Sequence, residues 1–174
     1  MRETENNAVA MRALTAADDP LIDRLWQLYV HDLSEFRGTT PRPDGSYRRG
    51  HLGWYDRNDD DRVAYLGRLG DRPVGFALVR GLRADVRHMG EFFVVRSARG
   101  AGHARVFAEQ VVRAHPGRWE IAFQEENARA ARFWRRLGAE VLTDMEEEGR
   151  AVPGKPYLPA DRWVRGATPR ETFP

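Results

Sequence analysis

At 174 residues the chain is most simply one domain with one core, too short for two well-formed ones. It has no cysteine, which excludes disulfides, thiolate nucleophiles and thiolate zinc sites. Basic residues number 28 against 26 acidic ones and are scattered, nearly all of them arginine, with Lys155 the only lysine; such a balance does not favour nucleic acid as a partner.

The opening residues are polar and charged, and no apolar run reaches membrane length, so a cytoplasmic protein that avoids the membrane is expected. "NAVAMRAL" reads as a first strand. Asp18 or Asp19 followed by Pro20 starts a helix that should end near Phe36, with Leu21, Leu25, Trp26 and Leu28 on its apolar side. The glycines and prolines from Arg37 to Gly53 predict a long irregular segment, with a short helix around Trp54. "RVAYLGRL" and "PVGFALVRGL" flank the turn "GDR" as a hairpin, and "HMGEFFVV" continues the meander.

A helix from about Ala101 to Ala114 follows, then the strand "RWEIAF", a helix from about Asn127 to Leu137 and the strand "AEVLTDMEE". The tail after Gly149 adds a last edge strand around Trp163. The class is α/β in the α+β sense.

The stretch from Glu91 to Val112 places a strand, two glycines and a helix start in succession. Gly100 and Gly102 leave room above a strand end, and the unpaired N–H groups of the next helix suit an anion such as pyrophosphate. The turn lacks the lysine of a Walker loop and the three glycines of a dinucleotide fingerprint.

Arg99, Gly100, Ala101, Gly102, His103 and Ala104 resemble the Arg/Gln-x-x-Gly-x-Gly/Ala turn of the GNAT superfamily of acyl-CoA-dependent N-acyltransferases. A second stretch, "NARAARFWRRLGAE", is similar to that superfamily's Asn-x-x-Ala-x-x-Phe-Tyr-x-x-x-Gly-Phe helix through Asn127, Ala130, Phe133, Trp134 and Gly138. With "GFALVR" and the order of elements, the resemblance covers most of the chain; "HDLSEF" and "EFFVV" resemble one bacterial branch.

The resemblance implies a mixed, mostly antiparallel sheet flanked by helices, with the fourth strand splayed from the fifth at a bulge. It implies acetyl-CoA as acyl donor, with the pantetheine arm on the backbone of Phe93, Val94 and Val95. The pyrophosphate would lie on the amides of Arg99, Gly100, Ala101, Gly102, His103, Ala104 and Arg105. Asn127 would contact the arm, and Phe133 and Trp134 would flank the acyl end. The amide of Val94 or Val95 would face the developing oxyanion. Glu91 is the first choice of base, since it shares a strand face with Phe93 and Val95. His31, Asp32 and Glu35 on the first helix form an acceptor-binding set.

Where the family often has a tyrosine acid, this chain has Trp134, which cannot donate a proton comparably. Water, Tyr55 or Tyr157 would have to serve. His103 would touch solvent or phosphate, and no histidine spacing suggests a metal. The function implied is acetyl transfer to a primary amine of an unidentified small molecule or peptide, by a monomer or homodimer. A non-catalytic acyl-CoA sensor on the same fold is the alternative, and a nucleic-acid-associated role stands behind both.

Overall fold

A computed structural model of the chain describes residues 8–50, 52, 55 and 59–169. Seven strands form one sheet: β1 (Val9–Ala13), β2 (Arg62–Leu69), β3 (Arg72–Arg80), β4 (Val86–Val94), β5 (Arg118–Phe123), β6 (Thr143–Arg150) and β7 (Asp161–Ala167). Three helices flank it: α1 (Asp19–Arg37), α2 (His103–Arg113) and α3 (Ala128–Val141). The strand order is β1-β2-β3-β4-β5-β7-β6, antiparallel throughout except for the parallel pair β4–β5.

The start of α1 is pinned to β1 by a charge. Asp18, immediately before the helix, accepts two hydrogen bonds from Arg12 at 2.8 and 2.6 Å and one from the Thr15 amide at 2.8 Å. Gly38 ends the helix at φ +61°, its N–H returning to Ser34 O. The buried stripe is Ile22, Leu25 and Trp26, continued by Tyr29. Leu28, expected on that face, is half exposed, because spacings of three and four from Ile22 bypass it.

Residues 39–49 carry neither helix nor strand, as the glycines and prolines implied, and are held to α1 by Trp26 Nε1 donating to Arg48 O at 2.9 Å. The short helix expected around Trp54 lies outside the described residues.

The other side of the sheet is packed by α2 and α3, which bury Phe107, Val111, Leu137 and Val141 against Ile121, Trp119 and Val164. Two boundaries differ from expectation. The third helix runs on to Val141 because Leu137, Gly138 and Val141 continue its buried stripe, so β6 begins at Thr143 rather than Ala139. Gly138 serves close packing there: a β-carbon would lie 2.7 Å from Val164 and 2.9 Å from Met145. The tail strand β7 is no edge; it inserts between β5 and β6, buries Val164 completely, and leaves β6 as the edge.

The feature that matters for function is an interrupted pairing. β4 pairs with β5 only from Val86–Arg118 to Met89–Ile121, although β4 runs on to Val94 and β5 to Phe123. At the point of parting, Leu78 faces Glu91 while Val79 faces Met89, so Gly90 is an extra residue in β4. The bulge bends β4 away, and a wedge opens between two parallel strands, as the resemblance implied.

Candidate functional site

The wedge widens into a cavity of about 790 Å³, bounded by α1, the C-terminal halves of β4 and β5, the turn before α2 and the first turns of α3. Antiparallel pairing decides which backbone groups face it. The Val95 amide donates to Val74 O at 2.8 Å, across to β3. Alternate residues along such a strand point opposite ways, so Phe93 also faces β3, while Phe92 and Val94 present their backbone to the wedge. This corrects the expectation for Phe93 and Val95: of the three backbone groups named, only that of Val94 faces the cavity, and Phe92 joins it. Val95 is accordingly no candidate for an oxyanion donor.

The turn that follows is shaped by two glycines. Gly100 and Gly102 have φ +93° and +82°, with nothing within 4 Å of where a β-carbon would stand. The first backbone hydrogen bond of α2 runs from Val106 N–H to Gly102 O, so the amides of His103, Ala104 and Arg105 precede the helix's own bonding. Arg99 departs from the expected set, because its amide donates to Arg96 O at 3.1 Å. Its side chain instead braces the site: Nε donates to Val94 O at 2.7 Å, a terminal nitrogen bonds Asp32 at 2.5 Å, and the guanidinium lies 5.7 Å over the Phe93 ring.

Of the other expected donor-site residues, Gly100, Gly102, Ala104 and Arg105 line the cavity, and so do Asn127, Phe133 and Trp134. Ala101 and His103 do not. Asn127 Oδ1 caps α3 by accepting from the Ala130 amide at 3.1 Å, which leaves its NH₂ for a ligand. Trp134 is 6 % exposed and packs edge-on against Phe133 and Phe92 at 4.8 and 5.2 Å. It is a core residue that closes the inner wall.

Across the wedge, Glu91 projects under α1, where its carboxylate accepts a very short hydrogen bond from the Tyr29 hydroxyl. Burial and then the Glu91 charge push the Tyr29 hydroxyl well above its ordinary range, so it stays protonated as a donor. Tyr55 does not line the cavity; it rests its hydroxyl against Gly90, where a β-carbon would collide with it. Burial, with the Glu91 charge, pushes Tyr55 up to about 12. Tyr157 is 78 % exposed and lies away from the cavity.

The helix residues expected to bind an acceptor separate. Glu35 lines the cavity, whereas His31 is exposed and sits 3.4 Å from the Tyr47 hydroxyl, facing the segment after α1. Asp32 also lines it, but its carboxylate is taken by Arg96 and Arg99 at 2.8 and 2.5 Å. Desolvation works against that charge, yet the two arginines outweigh it and hold Asp32 below the usual carboxylate range. These pairs clasp α1 to the turn. Tyr29, Leu33 and Phe36 line the cavity from the same helix and were missed by the sequence reading. Among the described residues no group of three or more histidines and carboxylates could hold a metal ion, and no helix is long and apolar enough to cross a membrane.

The sequence model of the Acetyltransferase (GNAT) family matches residues 22–139. No curated protein matches the chain in sequence. Among solved structures, an acetyltransferase from Thermus thermophilus superposes with a TM-score of 0.65 at 18 % identity, over 92 % of this chain and 97 % of its own. The diaminobutyrate acetyltransferase EctA from Paenibacillus lautus, in complex with its substrate L-2,4-diaminobutyric acid and coenzyme A, gives 0.64 at 16 % identity, over 97 % and 100 %. AAC(6')-Ib in complex with Parmomycin and AcetylCoA gives 0.63 at 16 % identity, over 92 % and 93 %.

Proposed function

The chain belongs to the GNAT acetyltransferase family, and we propose that it transfers an acetyl group from acetyl-CoA directly to a primary amine of a small molecule or peptide. The observation that carries this reading is the wedge opened by the Gly90 bulge, which brings a free strand edge, an anion-binding turn and a carboxylate to one cavity.

In this reading the amides of Gly100, Gly102, Ala104 and Arg105 take the pyrophosphate, where main-chain donors and the start of α2 favour negative charge. The backbone of Phe92 and Val94 pairs with the pantetheine arm as a further strand would. Asn127 offers its NH₂ to an arm carbonyl, and Phe133 and Trp134 border the acyl group.

A primary amine is mostly protonated at neutral pH and must lose a proton before it attacks. Glu91 accepts that proton, directly or through a water, while Tyr29 holds the carboxylate beneath α1. The Val94 amide donates to the oxygen on which charge develops. Water protonates the departing thiolate in place of the tyrosine that Trp134 replaces, because Tyr55, raised to about 12, is a weak acid and stands outside the cavity lining. Tyr29, Glu35 and Phe36 give the acceptor a wall that is part apolar and part acidic, which suits an amine.

The relatives with bound amines support the reaction class and leave the acceptor open. A sensor that binds acyl-CoA without turnover is favoured by one feature, Trp134 at the usual acid position. The test is acetyl-CoA turnover, followed by free thiol release, against polyamines, aminoglycosides, amino acids and peptides. Amine-dependent thiol release supports the enzyme; tight acetyl-CoA binding with no release against any amine favours the sensor.

A further inference from the structure

Four arginines line the cavity: Arg96, Arg99, Arg105 and Arg129. Three of them have a carboxylate partner, though each partner is shared with another arginine. Arg96 and Arg99 share Asp32, and Arg105 is held by Glu140 at 2.6 Å and Glu109 at 3.2 Å. Arg129 is exposed and, among the described residues, has neither a carboxylate partner nor a hydrogen bond from its side chain.

Its position leaves that charge mildly unfavourable. Arg129 is the second residue of α3, where the helix presents its positive end, and no acidic residue stands in that first turn. Arg132, three residues on and on the same helix face, is exposed and without an ion pair as well, so two like charges repel. Arg135 and Arg136 on the same helix, by contrast, are matched by Glu147, Glu125 and Glu140. Two such charges beside a cavity, with no carboxylate partner among the described residues, suit a ligand that supplies the opposite charge.

Building on the donor site proposed above, the charges of that donor can be assigned in turn. Its pyrophosphate falls to the amides of Gly100, Gly102, Ala104 and Arg105, and its pantetheine arm and acyl group are uncharged. The remaining anion is the 3′-phosphate on the ribose, a monoester carrying about −1.5 to −2 at neutral pH. We infer that Arg129 binds this 3′-phosphate, and that it makes the site select CoA over dephospho-CoA. The guanidinium fork matches phosphate oxygens, and at the cavity rim it need not displace any protein partner to do so.

The test is calorimetric titration of CoA and of dephospho-CoA into the wild type, Arg129→Ala and Arg129→Lys at low ionic strength. The wild type should bind CoA about tenfold more tightly than dephospho-CoA, Arg129→Ala should bind the two almost equally, and Arg129→Lys should keep most of the preference. Equal weakening towards both ligands in Arg129→Ala, or a wild type that does not distinguish them, overturns the assignment while leaving the donor site intact. A wild type that binds neither ligand overturns the donor site itself, and the assignment with it.

Discussion

The Tyr29 hydroxyl on the first helix donates a hydrogen bond to the carboxylate of Glu91 on the fourth strand, so the acidic group in the wedge is fixed by α1. Glu91→Gln removes the basic oxygen while retaining the shape. Turnover at pH 7 should fall by about two orders of magnitude and recover towards the wild-type rate as alkaline conditions deprotonate the amine unaided. A pH–rate profile checks this; a uniform loss at every pH assigns Glu91 a structural role.

The Tyr55 hydroxyl fills the space that a β-carbon on Gly90 would need. Gly90→Ala should therefore destabilise the fold by about 1–3 kcal/mol through overpacking. Removing the hydroxyl leaves the ring carbon 3.6 Å from the new β-carbon, an ordinary contact, so Gly90→Ala with Tyr55→Phe should be more stable than Gly90→Ala alone. Chemical unfolding of the four proteins measures the coupling. Tyr55→Phe by itself should leave kcat and the KM for acetyl-CoA nearly unchanged, whereas a lower kcat would assign the proton to Tyr55.

Trp134 is built into the core, which decides what its replacement does. Trp134→Ala should cost about 3 kcal/mol or more through the cavity left between Phe92 and Phe133. Trp134→Tyr should lose stability without gaining turnover, because the smaller ring leaves a void and a hydroxyl in need of a partner. Higher turnover in Trp134→Tyr would show instead that the missing phenol limits the rate.

Acid should unfold the protein through its paired carboxylates. Hydrogen bonds from Arg135, offset in part by desolvation and aided by Arg162, lower Glu147 from its ordinary 4.5 to about 2. Between those values the unfolded chain binds more protons than the folded one, so stability is present above about pH 4.5 and is lost as pH falls towards 2. Urea midpoints measured from pH 7 to 2 should follow that course. Glu147→Gln should start lower at pH 7 and decline less steeply.

Much of this site was legible in the residues. Two glycines before a helical pattern and Asn127 at a helix start are local signals, and both stand at the cavity. Glu91 and Phe93 share a face because strand alternation is also local. Which backbone edge of the fourth strand is open was not legible as named, since it depends on the register with β3; knowing that Val74 pairs with Val95 would have selected Phe92 and Val94. The capture of Asp32 by Arg96 and Arg99 joins residues 64 and 67 apart in sequence, and no spacing rule foretells it. Tyr29 was hidden as one aromatic among several on an amphipathic helix. The insertion of β7 between β5 and β6 likewise follows from tertiary pairing, not from its composition.

The proposed activity depends most directly on acyl-CoA occupying the turn before α2. Gly102 has open space around its α-carbon, so Gly102→Glu places a carboxylate at the proposed pyrophosphate position without a clash, at a strain of about 1–2 kcal/mol for its positive φ. Calorimetric titration of acetyl-CoA should show clear binding to the wild type and a loss of about a hundredfold or more in Gly102→Glu, with both proteins folded by circular dichroism. Unchanged affinity in the folded variant would contradict the assignment of the site.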